Sequence, residues 1–113
     1  MLNFYKDHNQ FIITKEDCPI GERLVPNTSD GAGEKHVPVI SRKGENITVR
    51  IGSVEHPMME AHYIQWIILE TESGYQKHDL QPGEKPEAIF KVTEPVIAAY
   101  EYCNLHGLWM AKM

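Results

Sequence analysis

The sequence predicts an all-β fold, an antiparallel β-sandwich of about seven short strands, and three observations carry that prediction. Residues 46–51, NITVRI, alternate strictly, with Ile47, Val49 and Ile51 on one side and Asn46, Thr48 and Arg50 on the other. That is the period of a half-buried strand. Residues 62–75, HYIQWIILETESGY, are rich in β-branched and aromatic side chains. Turn-forming Gly, Pro, Asn and Ser separate the apolar runs, and no segment carries the period of an amphipathic helix.

Taken in order, residues 1–35 have no steady period. Their stretch CPIGERLVPNTSDGAGEKH is dense in turn formers, so an irregular N-terminal segment is expected there. HVPVISRKGENITVRIGS then reads as a hairpin broken at Lys43-Gly44-Glu45, with NITVRI as its second strand. The long run after His62 closes at Ser73-Gly74. HDLQPGEKPEAIFKV holds a turn at Gln81-Pro82-Gly83 and a short strand through Ile89 and Phe90, and EPVIAAYEYC supplies a last strand. Pro57, Pro82, Pro86 and Pro95 fall at the edges of these runs, where a missing N–H does little harm. The general plan is immunoglobulin-like.

The 113 residues fit a single domain, residues 1–113, large enough for a real core. A net charge of -5, with no basic cluster longer than SRK, argues against nucleic acid as partner. No run approaches the roughly 18 apolar residues of a membrane span. The start, MLNFYKDHNQFIITKED, mixes charge and aromatics unlike a secretory signal, so a cytoplasmic location is the expectation. In that setting Cys18 and Cys103 are separate thiols rather than a disulfide.

Chemistry concentrates at the ends of the apolar runs. His36 lies in GEKHVPV where loop becomes strand, His56 and His62 bracket HPMMEAH, and Cys103 and His106 follow the final strand as C-x2-H. Strand ends and loops are where a rigid sandwich carries function. Imidazole and thiolate together suit Zn, Fe or Cu. Four imidazoles and one thiolate exceed a closed tetrahedral zinc set. They fit a five-coordinate site, four nitrogens in a plane and a sulfur on one axis, with the opposite axis open. A thiolate on the far axis pushes electron density onto the metal, as in cysteine-ligated haem.

The segments GEKHVPVI, EHPMMEAHYIQWIILET and CNLHGLW, in order from Glu34 to the C-terminus, resemble the superoxide reductases, the iron proteins that include neelaredoxin and the C-terminal domain of desulfoferrodoxin. The resemblance implies one mononuclear non-haem iron per chain, cycling between Fe(2+) and Fe(3+), held by His36, His56, His62, His106 and Cys103. It implies one-electron reduction of superoxide to hydrogen peroxide, a rubredoxin-like electron donor, and a homo-oligomer, dimer or tetramer. Its glutamate and lysine map onto Glu34 and Lys35: the first closes over oxidised iron, the second attracts and protonates the bound anion. The longer desulfoferrodoxins carry a second iron held by four N-terminal cysteines. Here only Cys18 stands in that region, so a one-iron protein is expected.

A rival reading is a blue-copper electron-transfer protein built on Cys103, His106 and Met110, since C-x2-H-x3-M also closes such sandwiches. It leaves GEKHVP and at least two of the placed histidines without a role. A structural zinc in a plain binding module wastes the fifth ligand. His8 and His78 lie in polar stretches and read as solvated, while Trp66 and Trp109 read as core or site lining rather than redox relays.

Overall fold

The computed structural model describes residues 1–113 and is nearly all β. Its elements are β1 (Asn3–Asp7), β2 (Gln10–Thr14), β3 (Glu22–Leu24), α1 (Gly33–His36), β4 (Pro38–Lys43), β5 (Asn46–Ile51), β6 (Ile64–Thr71), β7 (Gly74–Asp79), β8 (Glu87–Lys91), β9 (Val96–Cys103) and β10 (Gly107–Lys112). All pairings are antiparallel, in three sheets ordered β2-β1-β3, β10-β9-β6-β7 and β4-β5-β8. The last two sheets form the expected sandwich, and their seven strands match the expected number. No helix is long and apolar enough to cross a membrane.

The sandwich core lies between β5–β8 and β6–β9. Ile47, Val49 and Ile51 from β5 meet Ile67, Leu69, Ala99 and Cys103, each 0 % exposed. The alternation in NITVRI has this cause: Asn46 and Arg50 are the solvent face. Fully burying each such Ile or Val contributes about 1.5–3 kcal/mol.

β6 and β9 do not alternate, because they are covered on both faces. Ile67 and Leu69 point into the sandwich, while Trp66 and Ile68 join Ala98, Tyr100, Tyr102 and Leu108 in a second apolar cluster on the outside. What covers that outer face is the N-terminal sheet, through Leu2 and Phe4, with Phe11, Ile13 and Leu24 packed alongside. This corrects the expectation of an irregular segment over residues 1–35. Three short strands form there because an apolar sheet face needs a second layer. A second correction concerns the C-terminus, where the chain does not stop pairing at the C-x2-H turn. Gly107, at φ 77, reverses it, and β10 pairs back along β9 from Gly107↔Cys103 to Lys112↔Ala98.

Candidate metal centre

The loops at one end of the sandwich bring all four strand-end histidines and Cys103 together. Around the cluster the imidazoles follow the order His36, His56, His62, His106. Neighbouring centroids are 4.6, 4.7, 5.0 and 4.8 Å apart, and each ring stands nearly perpendicular to the next, at 77°, 79°, 72° and 86°. The diagonal from His36 to His62 is longer, 6.4 Å. One donor atom each from His36, His62, Cys103 and His106 lies within 4.8 Å of the other three. His56 joins through its Nε2, 3.1 Å from Nε2 of His36.

Each side chain arrives for a local reason. α1 is one turn long, and its third and fourth residues are Lys35 and His36. The turn is pinned by the carbonyl of Glu34, which accepts from the Val54 N–H (2.9 Å) and the Ser53 hydroxyl (3.3 Å). Gly52 permits this approach: at φ +80, a Cβ there would sit 2.7 Å from the Glu34 oxygen. A second glycine, Gly31, lies flat on the rings. A Cβ on it would come within 3.1 Å of His36 and 3.0 Å of His106. Trp109 stacks on His36 (5.0 Å between centroids, 27°) and donates from Nε1 to the His106 carbonyl (3.0 Å). Trp109 is site lining, as expected, and Trp66 belongs to the outer core.

The protonation pattern identifies what the cluster can hold. Nδ1 of His36 donates to the Ala32 carbonyl (2.7 Å), and Nδ1 of His56 donates to the Pro57 carbonyl (2.6 Å). A carbonyl can only accept, so each neutral ring carries its proton on Nδ1 and a bare lone pair on Nε2. Those two lone pairs face one another at 3.1 Å, and Nδ1 of His106 is 3.1 Å from the same His36 Nε2. Nε2 of His62 is buried with no hydrogen-bond partner. Inward-facing lone pairs, ring N–H groups fixed by carbonyls, and a thiol Sγ 4.0 Å from His106 Nδ1 make the donor set of a cation site.

Electrostatics agree. Burial pushes the pKa of His36 and His62 below the ordinary 6.5 and that of His56 to about 4, with the neighbouring imidazoles adding to each shift. These three rings are therefore neutral at pH 7, as binding a metal would require. Burial pushes the Cys103 thiol up, opposed by the backbone N–H groups of His106 and Leu105. The thiolate therefore needs a nearby cation to form at neutral pH.

The two remaining site candidates, Glu34 and Lys35, are exposed on α1 beside His36. The Lys35 ammonium lowers the pKa of both His36 and His62, so its field reaches the cluster. Cys18, with Sγ 3.4 Å from the Ile20 carbonyl, plays no part in the cluster; His8 and His78 are solvent-exposed. Met110 pairs with Tyr100 and packs against the outer cluster, on the opposite face of β10 from Trp109. That removes the axial ligand the blue-copper reading needed.

Two residues of the site escaped the sequence reading. Glu101 is 0 % exposed, both its carboxylate oxygens lack partners, and it lies two positions before Cys103 on the same side of β9. A glutamate inside the apolar run AAYEYC was the available signal. Asn104, between Cys103 and His106 of the C-x2-H turn, bonds across to the His62 loop. Nothing in its spacing announced that.

Comparison with known proteins agrees with the fold and the cluster. Residues 28–112 match the family described as Desulfoferrodoxin. The chain is 51% identical over 90 residues to a desulfoferrodoxin of Syntrophotalea carbinolica, covering 79% of this chain and 71% of that protein. It is 32% identical over 102 residues to a superoxide reductase of Pyrococcus abyssi, covering 73% and 88%. The superoxide reductase of Treponema pallidum superposes with a TM-score of 0.88 at 37% identity, over 99% of both chains. The one-iron enzyme of Giardia intestinalis superposes with a TM-score of 0.62 at 38% identity, over 71% of this chain and 97% of that one. With its cluster of histidines and a cysteine and most of its length matched, this chain belongs to the desulfoferrodoxin family.

Proposed function

We propose that the chain is a superoxide reductase, with His36, His56, His62, His106 and Cys103 holding one iron ion. The observation that carries the proposal is the closed ring of four imidazoles, each nearly perpendicular to its neighbours, with a buried cysteine sulfur beside it. Iron held by these residues would supply the one electron that, with two protons, converts superoxide to hydrogen peroxide, and a small one-electron donor of the rubredoxin kind would restore it.

The chain's own residues do the rest. The Nδ1–H bonds of His36 and His56 to Ala32 and Pro57 fix those rings and raise their basicity. The Cys103 thiolate would donate electron density to the metal and favour reduction of the bound anion. Gly31 and Trp109 close two sides of the cluster against bulk water. Lys35 attracts the anion. The chain's charge of -5 repels superoxide, but screening at physiological salt limits that repulsion to about 8 Å, so the local cation decides. The Lys35 ammonium also stands ready to hydrogen-bond the reduced product and feed it a proton. Glu34, one residue before it, is the carboxylate that would close over the metal once it is oxidised.

The test is to mix the iron-loaded, pre-reduced protein with a pulse of superoxide. We expect one hydrogen peroxide per superoxide consumed and no dioxygen. Dioxygen appearing with half as much peroxide would mean dismutation and would overturn the assignment.

A further inference from the structure

We propose that Asn104 is the positioning residue that aims His62 and the Cys103–His106 turn at a shared metal ion. The proposal rests on the metal-binding reading above and deepens it. His36 and His56 are oriented by their own ring N–H bonds to carbonyls. No such bond orients His62, whose Nε2 is buried without a partner. Next to His62 the loop before it closes on itself, Met59 and His62 exchanging backbone hydrogen bonds of 2.9 Å in each direction, and its tie to the rest of the fold, from the Gly83 N–H to the Met58 carbonyl (2.8 Å), lies four residues from the ring. Something else must hold that loop at the right distance from the sulfur.

Asn104 does so with three bonds that grip both flanks of His62. Its Nδ2 donates to the Ala61 carbonyl (3.1 Å), and its Oδ1 accepts from the Tyr63 N–H (2.9 Å). Its own backbone N–H donates to the Tyr63 carbonyl (3.2 Å). Only an amide offers a donor and an acceptor in one short planar group; Asp loses the donor and Leu loses both. Because Asn104 is bonded to Cys103, its side chain sets His62 relative to the Cys103–His106 turn. The His106 end of the turn is held separately, by Ser29 Oγ (2.6 Å) and Trp109 Nε1 (3.0 Å) on its carbonyl. Asn104 is half-buried, so in its absence the Ala61 carbonyl and Tyr63 N–H can bond to water and the fold survives.

The test uses the full chain loaded with cobalt(II), whose sulfur-to-metal and d–d bands report the ligands directly. In Asn104→Ala, we expect affinity for cobalt(II) to fall about 10–100-fold, with the sulfur band retained and the d–d bands moving toward those of His62→Ala. Adding Asn104→Ala to the His62→Ala variant should then change affinity within about twofold, because the ring it aims is already gone. Asn104→Asp, which keeps the bond from Tyr63, should fall between wild type and Asn104→Ala, and it decides the matter if the alanine variant does not fold. Unchanged affinity and d–d bands in both variants would overturn the proposal. So would an equal loss in the His62→Ala background, which would make Asn104 a general support of the fold. A wild-type protein showing no sulfur-to-cobalt band would instead sink the metal-binding reading, and this inference with it.

Discussion

Nε2 of His36 and Nε2 of His56 stand 3.1 Å apart while the Nδ1 of each ring donates its proton to a backbone carbonyl. Two lone pairs at that distance repel unless positive charge lies between them, and burial disfavours a proton as that charge.

Metal-free protein should therefore be acid-sensitive. His56 has a folded pKa of about 4 against an ordinary 6.5, so the unfolded chain binds the proton more readily. Stability is complete above about 6.5 and drains as pH falls toward about 4, by on the order of 3 kcal/mol from His56 alone. His36 and His62 act in the same direction. Urea midpoints across that window should decline without metal and decline less with it; a flat profile in the metal-free protein would contradict the shifts.

Glu101 carries the opposite sign. Burial without partners holds its carboxyl pKa well above the usual 4.5, so its contribution is best where both states are protonated and is lost as pH rises from 4.5 toward the folded pKa. Glu101→Gln removes the ionisable proton while keeping the shape. We expect the variant to be more stable at neutral pH by roughly 1–3 kcal/mol, and to lack that decline. Calorimetry showing a less stable variant would mean that the carboxyl has a partner here.

Lys35 is tested by rate and salt together. Lys35→Ala should slow the second-order reaction with superoxide about tenfold at low ionic strength and flatten its dependence on salt. An unaltered rate with an unaltered slope would remove Lys35 from the approach of the anion.

The N-terminal sheet should belong to the same cooperative unit as the sandwich. Phe4, 2 % exposed, stacks at 5.7 Å on Trp66 and lies 4.6 Å from Tyr100. Phe4→Ala should cost about 3–5 kcal/mol in a single unfolding transition, without shifting the visible spectrum of the iron-loaded protein. Two separate transitions would show the sheet to be an independent layer.

How far the sequence spoke for the structure follows from which faces are wet. β5 was legible because one of its faces meets solvent, so its pattern has a period. The double burial of β6 and β9 erased the period there but left a dense apolar run, legible as strand though not as a strand with two covered faces. The N-terminal strands were missed because β1 and β2 turn at His8-Asn9, with His8 rather than glycine taking φ 54, so the usual hairpin signals are absent. The candidate ligands were visible as residue types at strand ends. Their support was not: the carbonyls of Ala32 and Pro57, the amide of Asn104 and the bare Cα of Gly31 act through backbone geometry that spacing does not encode.

The most direct measurement is metal analysis of the purified protein with the optical spectrum of its oxidised form, repeated on Cys103→Ser. We expect one iron per chain and a visible sulfur-to-iron charge-transfer band that disappears in the variant. Copper, colourless zinc, or a band that survives the loss of Cys103 would contradict this expectation.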